Sequence, residues 1–200
     1  MEIEDKYLTI EEFAESSYTE KRSRFLSFAI PVHSLDEIKI QLSIYQKKYY
    51  DARHICYAYM LGQERKIFRA NDNGEPSSTA GRPILGQINS NQLTDILIIV
   101  VRYFGGIKLG TSGLIVAYRT AAAAAISSAI IIEKTVDKEI TFMFEYPFMN
   151  DVMHIIKEEN PIIVSQSYDS DCKMTLRARL SIITHLCKRL EKVNSLRFDK

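Results

Sequence analysis

Six consecutive aliphatic residues, ILIIVV at positions 96–101, run directly into RYFGGIKLGTSGL, which carries four of the chain's eight glycines: Gly105, Gly106, Gly110 and Gly113. The aliphatic run is apolar at odd and even positions alike. As a strand it has no face to offer water, so residues 95–104 are expected at the centre of a sheet. The segment that follows the glycines, residues 114–129, reads as a helix whose alanines at 121–125 permit close packing on that sheet. The other four glycines, Gly62, Gly74, Gly81 and Gly86, lie just upstream, and none occurs before position 62 or after 113. The most permissive backbone of the chain is thus confined to one quarter of it.

Around this centre the pattern predicts strands at 23–32, 53–61 and 66–70, with Gly62 joining the last two. Residues 34–50 show helical periodicity, with Leu35, Ile38, Leu42 and Tyr45 on one face. Ser34 stands as N-cap, and Glu37 completes a capping box. Residues 71–83 are loop chemistry, Asn-Asp-Asn-Gly, Pro-Ser-Ser-Thr and Gly-Arg-Pro, and a short helix is expected at 84–92. Near positions 136–139 the pattern changes. KEITFMFEY, IIVSQSY, CKMTLRARL and SLRF read as strands, and 149–159 and 184–193 as helices. Asp169, Ser170 and Asp171 turn the central hairpin. The order βαββαβ is the ferredoxin-like arrangement. The expected fold is therefore α+β in two domains. Residues 1–135 form a mixed β-sheet with helices on one face, and residues 136–200 form a ferredoxin-like domain.

The chain has a formal net charge of +1, with 46% hydrophobic and 26% charged residues. That is the composition of an ordinary globular protein, with no global field for nucleic acid or membrane. The acidic start MEIEDKYLTIEEF carries no signal-peptide run, and six aliphatic residues fall far short of a membrane span. Cys56, Cys172 and Cys187 fit neither a disulfide framework nor a zinc pattern, and read as reduced thiols of a cytoplasmic protein.

Strand, glycine loop and helix together aim backbone N–H groups at a helix start, an arrangement suited to phosphate. Thr111 and Ser112 are candidate caps. Arg102, Lys108 and Arg119 add positive charge, and Tyr103 and Phe104 add flat surfaces for stacking a base. The spacing of Gly105, Gly106, Gly110 and Gly113 is neither a Walker A loop nor GxGxxG. On pattern alone the phosphate reading is weak, and tight turns and close helix–sheet contact explain the glycines better.

The loop NDNGEPSSTAGRPIL sets Asp72, Gly74, Glu75, Pro76, Thr79, Gly81 and Arg82 close together, stiffened by its prolines. Its two carboxylates can share a divalent cation, act as acid and base, or cap turns. No zinc constellation is present, and neither a metal nor a cofactor is expected. His54 shares a strand face with Cys56, Ala58 and Met60, and reads as a buried structural histidine or as a base. Lys173, Arg177 and Arg179 put three cations on one face of a tail strand, a solvated face or a nucleic-acid platform.

Taken together, DARHICYAY, DNGEPSSTAGRPIL and VVRYFGGIKLGTSGLIVAY resemble the signature blocks of the YigZ/IMPACT family, in the family's order. The resemblance implies a first domain like domain IV of the translocating elongation factor and a ferredoxin-like second domain. Eukaryotic relatives regulate translation under amino-acid stress through partner proteins, using an added RWD domain for which 200 residues leave no room. That partner mechanism is therefore not expected to transfer. Nucleic-acid binding has been proposed for bacterial relatives, and the family supplies no agreed catalytic residues. One departure is Asn73, which stands where an acidic residue is usual and weakens a two-carboxylate metal site. The expected function is a non-enzymatic factor associated with RNA or the ribosome, with translation-related proteins as partners. Phosphate would be held by both loops, with Arg102, Tyr103 and Phe104 beside them. An enzyme acting on a phosphorylated small molecule and a purely protein-binding regulator remain as alternatives.

Overall fold

The computed structural model describes residues 5–199. They divide into two compact units, residues 7–134 on one hand, and residues 135–199 together with Asp5 and Lys6 on the other. In chain order the first part carries β1 (Lys6–Ile10), β2 (Ala14–Glu20), β3 (Ser23–Pro31), α1 (Leu35–Lys48), β4 (His54–Leu61) and β5 (Ile67–Asn71). It continues with α2 (Gly81–Ser90), β6 (Ile96–Tyr103), α3 (Gly110–Ser127) and β7 (Ile131–Thr135). β1 and β7 form a two-stranded sheet, and the other five strands form one sheet in the order β2-β3-β6-β4-β5.

β6 is the central strand, as its composition requires. Ile96, Ile98 and Val100 enter a core with Tyr118 and the alanines of α3 and with Ile84 and Ile88 of α2. Leu97, Ile99 and Val101 enter a second core on the opposite face, with Phe28, Tyr57 and the α1 residues Ile38 and Tyr45. All six are fully buried, each contributing roughly 1.5–3 kcal/mol relative to exposure. Two expectations are corrected here. The sheet is antiparallel at every pairing rather than mixed. Helices cover both faces rather than one, because both residue sets of β6 are apolar and each needs its own cover.

α1 begins as its sequence dictates, with Ser34 Oγ accepting from the Glu37 N–H at 3.1 Å. α3 starts at Gly110 rather than at Leu114. Thr111 and Ser112 lie inside its first turn instead of capping it, the N-cap position is Leu109, and no side chain caps this end. Gly110 and Gly113 disguise the first turn, since glycine has low intrinsic helix propensity, and packing overrides it.

The second unit contains β8 (Asp137–Phe144), α4 (Met149–Glu159), β9 (Ile162–Tyr168), β10 (Cys172–Arg179), α5 (Leu180–Leu190) and β11 (Arg197–Phe198). Its sheet runs β11-β8-β10-β9, antiparallel throughout, the ferredoxin-like order. Phe142, Met174 and Leu176 pack on Val152, Ile156, Ile183 and Leu186 from the two helices. Asp5 belongs to this unit because its carboxylate accepts two bonds from the Arg179 guanidinium at 2.7 Å and one from the Ser181 N–H at 3.1 Å. Among the described residues no helix is long and apolar enough to cross a membrane.

Candidate functional site

The loop between β5 and α2 is organised by Asp72. Its carboxylate accepts backbone N–H bonds from Ser78 at 2.8 Å, Ala80 at 3.0 Å and Gly81 at 2.8 Å. Ala80 and Gly81 open α2, so the carboxylate sits where the unpaired donors and partial positive charge of the helix start converge. The position a phosphate would take at this helix end holds the protein's own anion. Gly81 is required by close approach, since a Cβ there would fall 2.4 Å from the Asn71 backbone nitrogen. Thr79, buried, donates to the Pro76 carbonyl at 2.6 Å and closes the turn. Pro76 itself is exposed.

Beneath this loop lies a buried polar chain. Glu75 Oε1 accepts from Arg102 Nη1 at 2.6 Å and from the Tyr118 hydroxyl at 2.9 Å. Cys56 Sγ is 3.3 Å from that hydroxyl and 3.0 Å from the Asp72 carbonyl. His54 Nδ1 is 2.8 Å from the Asn73 carbonyl, which only accepts, so this nitrogen carries the hydrogen. His54 Nε2 stands 4.0 Å from Glu75 Oε1. Gly74 has φ +81°, a left-handed backbone that favours glycine, and a Cβ there would make an ordinary contact with the imidazole, 3.5 Å from Nδ1. Burial pushes the Cys56 thiol up to about 12, so it stays protonated at neutral pH and is no nucleophile. Burial also raises the Tyr118 hydroxyl, with Cys56 and Glu75 adding to the effect. His54 and Cys56, Asp72 and Glu75, Arg102 and Tyr118 come from three separate sequence blocks and meet only here.

The glycine loop lies beside this chain. Arg102 is buried, its guanidinium 5.6 Å from the ring centres of both Phe25 and Phe104. Its charge therefore faces Glu75 and not solvent. Tyr103 is half-buried and donates to Asp51 at 2.9 Å, and burial followed by that bond raises its pKa. Phe104 and Lys108 are exposed. Gly105 donates its N–H to Ser23 Oγ at 3.2 Å. A Cβ on Gly105 would come within 2.0 Å of the Arg22 carbonyl carbon in the β2–β3 turn. Gly106 and Gly110 have φ of +86° and +73°, and Gly113 lies inside α3.

Arg82, in the first turn of α2, meets a residue that the sequence reading counted only as nearby charge. Arg82 and Arg119 of α3 line one cavity of about 560 Å³ between the two helices, together with Ser78, Gln87, Ser90 and Ile115. Both arginines are exposed, and neither makes an ion pair with a described residue. Sequence reasoning missed Tyr118 altogether. The available signal was a tyrosine inside an alanine-rich helix, where a polar tip on a buried face needs a partner.

In the second unit the cationic stripe of β10 is neutralised. Lys173 pairs with Asp199 at 2.8 Å, Arg177 with Glu139 at 2.6 Å, and Arg179 with Asp5 at 2.7 Å. The alternation along β10 is as expected, but acidic groups from β8 and from both ends of the chain reach the same face.

Comparison with known proteins places the chain. The Impact N-terminal domain matches residues 21–126. The chain is 30% identical over 165 residues to the IMPACT family member YvyE of Bacillus subtilis, covering 82% of this chain and 76% of that protein. It is likewise 30% identical over 152 residues to the IMPACT family member YigZ of Escherichia coli, covering 75% and 74%. A crystal structure of a hypothetical protein superimposes with a TM-score of 0.73 at 25% identity, over 98% of this chain and 97% of the other. The three blocks that build the Asp72 loop, the Glu75–Arg102 pair and the Tyr118 helix all fall within the matched domain, and the chain belongs to the IMPACT family.

Proposed function

We propose that this protein is a non-enzymatic, cytoplasmic regulator of translation that works by holding nucleic acid, free or in the ribosome, on the α2–α3 face of its first unit. The observation that carries the reading is the pair Arg82 and Arg119, both exposed and without an ion pair to any described residue, opening on one cavity with neutral polar groups around them. Free guanidinium groups are the usual partners of phosphate oxygens. Membership of the IMPACT family supports the translational part of the reading.

The rival enzyme reading needs Asp72 and Glu75 to hold a metal or move protons. Asp72 is committed to three backbone N–H groups, and Glu75 to Arg102 and Tyr118. Both carboxylates therefore serve the loop, which favours a binding protein.

Titration of the protein with short single-stranded RNA tests the reading. Affinity falls steeply with salt as phosphate contacts release counterions. The Arg82→Ala/Arg119→Ala variant loses about tenfold or more in affinity at equal salt. RNA affinity that ignores salt, or that survives the double substitution, overturns it.

A further inference from the structure

We infer that the cavity between α2 and α3 is a site for a phosphate monoester, carried by a mononucleotide or by the phosphorylated end of an RNA strand. This rests on the nucleic-acid reading and narrows it to one ligand group.

A running sugar–phosphate backbone is held by a row of cations spaced along it. The second unit offers no such row on β10, because Lys173, Arg177 and Arg179 are paired with Asp199, Glu139 and Asp5. In the first unit Arg102 is buried against Glu75. A net charge of +1 supplies no general field to compensate. What the α2–α3 face presents is focal: two guanidinium groups with no ion pair among the described residues, from two different helices, on one concavity.

The charge count selects the ligand. A phosphate monoester has a second pKa near 6 and carries roughly two negative charges at neutral pH. An internal diester carries one. Two arginines that no carboxylate of the cavity wall offsets match the dianion in charge, and a planar guanidinium fork is able to bind two phosphate oxygens. Phosphate alone would leave most of 560 Å³ empty, a volume in the range of small-ligand sites, about 300–1,000 Å³. The remaining wall suits a sugar and base. Ser90 donates its hydroxyl hydrogen to the Gly86 carbonyl at 2.8 Å, leaving its oxygen free to accept. Gln87 both donates and accepts, and the half-buried Ile115 adds a small apolar contact. The start of α2 plays no direct part, since Asp72 already takes its N–H groups. Asp72 instead fixes the loop and so the position of Arg82.

The test compares binding, at one salt concentration, of a short single-stranded RNA with a phosphate at its 5′ or 3′ end against the same strand ending in hydroxyls, with AMP as a separate probe. One phosphorylated strand binds about tenfold tighter or more than the hydroxyl strand, as a charge-assisted pair of contacts requires. AMP competes with it. In Arg82→Ala and in Arg119→Ala the strands bind alike, and Gln87→Glu, which adds a carboxylate to the wall, removes the preference while circular dichroism stays unchanged. Equal affinity of all strands for the unmodified protein, with no competition by AMP, overturns the monoester site and leaves the nucleic-acid reading standing. AMP binding through both arginines without RNA binding does the reverse, supporting the site and ending the nucleic-acid reading. Binding of neither RNA nor AMP removes both.

Discussion

Glu75 and Arg102 meet at 2.6 Å with side chains only 3% and 7% exposed. The pair ties the loop after β5 to the central strand β6, and Tyr118 brings α3 to the same oxygen. A buried ion pair of this kind contributes less to net stability than its geometry suggests, but removing one partner strands the other charge in the interior.

Glu75→Ala is therefore expected to cost about 3–5 kcal/mol of folding stability, because it leaves the Arg102 guanidinium buried and unpaired. The double variant Glu75→Leu/Arg102→Met, which removes both charges, recovers much of that loss. Urea unfolding of the two variants and of the parent measures the difference, and a double variant no more stable than Glu75→Ala contradicts the account.

Asp72→Ala removes the acceptor of three N–H groups at the start of α2 and is expected to cost about 2 kcal/mol or more. Asp72→Asn keeps one acceptor oxygen and loses less. Thermal unfolding with and without magnesium checks both points. The destabilisation is the same in either condition, since the carboxylate serves backbone N–H groups.

Gly105 and Gly113 separate sharply. An alanine Cβ at Gly105 would meet the Arg22 backbone at 2.0 Å, and the β2–β3 turn must move, at an expected cost of about 1–3 kcal/mol or more. At Gly113 the new methyl meets Leu109 Cβ at 3.1 Å. The intrinsic helical advantage of alanine, about 1 kcal/mol, offsets that crowding. Gly113→Ala therefore leaves the unfolding midpoint nearly unchanged and Gly105→Ala lowers it.

The Asp5 carboxyl is held well below its ordinary value of 3.8, first by the bonds from Arg179 and then by those from Ser181. A depressed carboxyl stabilises the fold fully above its unfolded pKa and ceases to do so as pH falls through the folded one. The parent therefore loses stability as pH drops from about 5 toward about 2, and Asp5→Asn loses less over the same range. Denaturant unfolding at a series of pH values reads this directly, and parallel pH profiles contradict it.

The local periodicities of this chain were legible without coordinates. The run at 96–101 is apolar at every position, so it had to be central. The spans of α4 and β9 follow from apolar spacing and flanking turn residues. The βαββαβ order of the tail needs only the sequence of elements. Three long motifs identified the family, because their residue order survives in a linear text. What the sequence left open was which groups meet. Arg102, Lys173, Arg177 and Arg179 all read as available cations, and each is paired in the fold with a carboxylate far away along the chain. Arg119 read as background charge and becomes half of a two-arginine cavity, because α2 and α3 pack side by side. Asp72 read as a possible metal ligand and is the cap of a helix that begins nine residues on, at Gly81. Residue type and spacing determine how a segment folds and which face it buries. Whether a charged group is spent inside or left for a ligand depends on long-range contacts, and only the packed tertiary structure decides those.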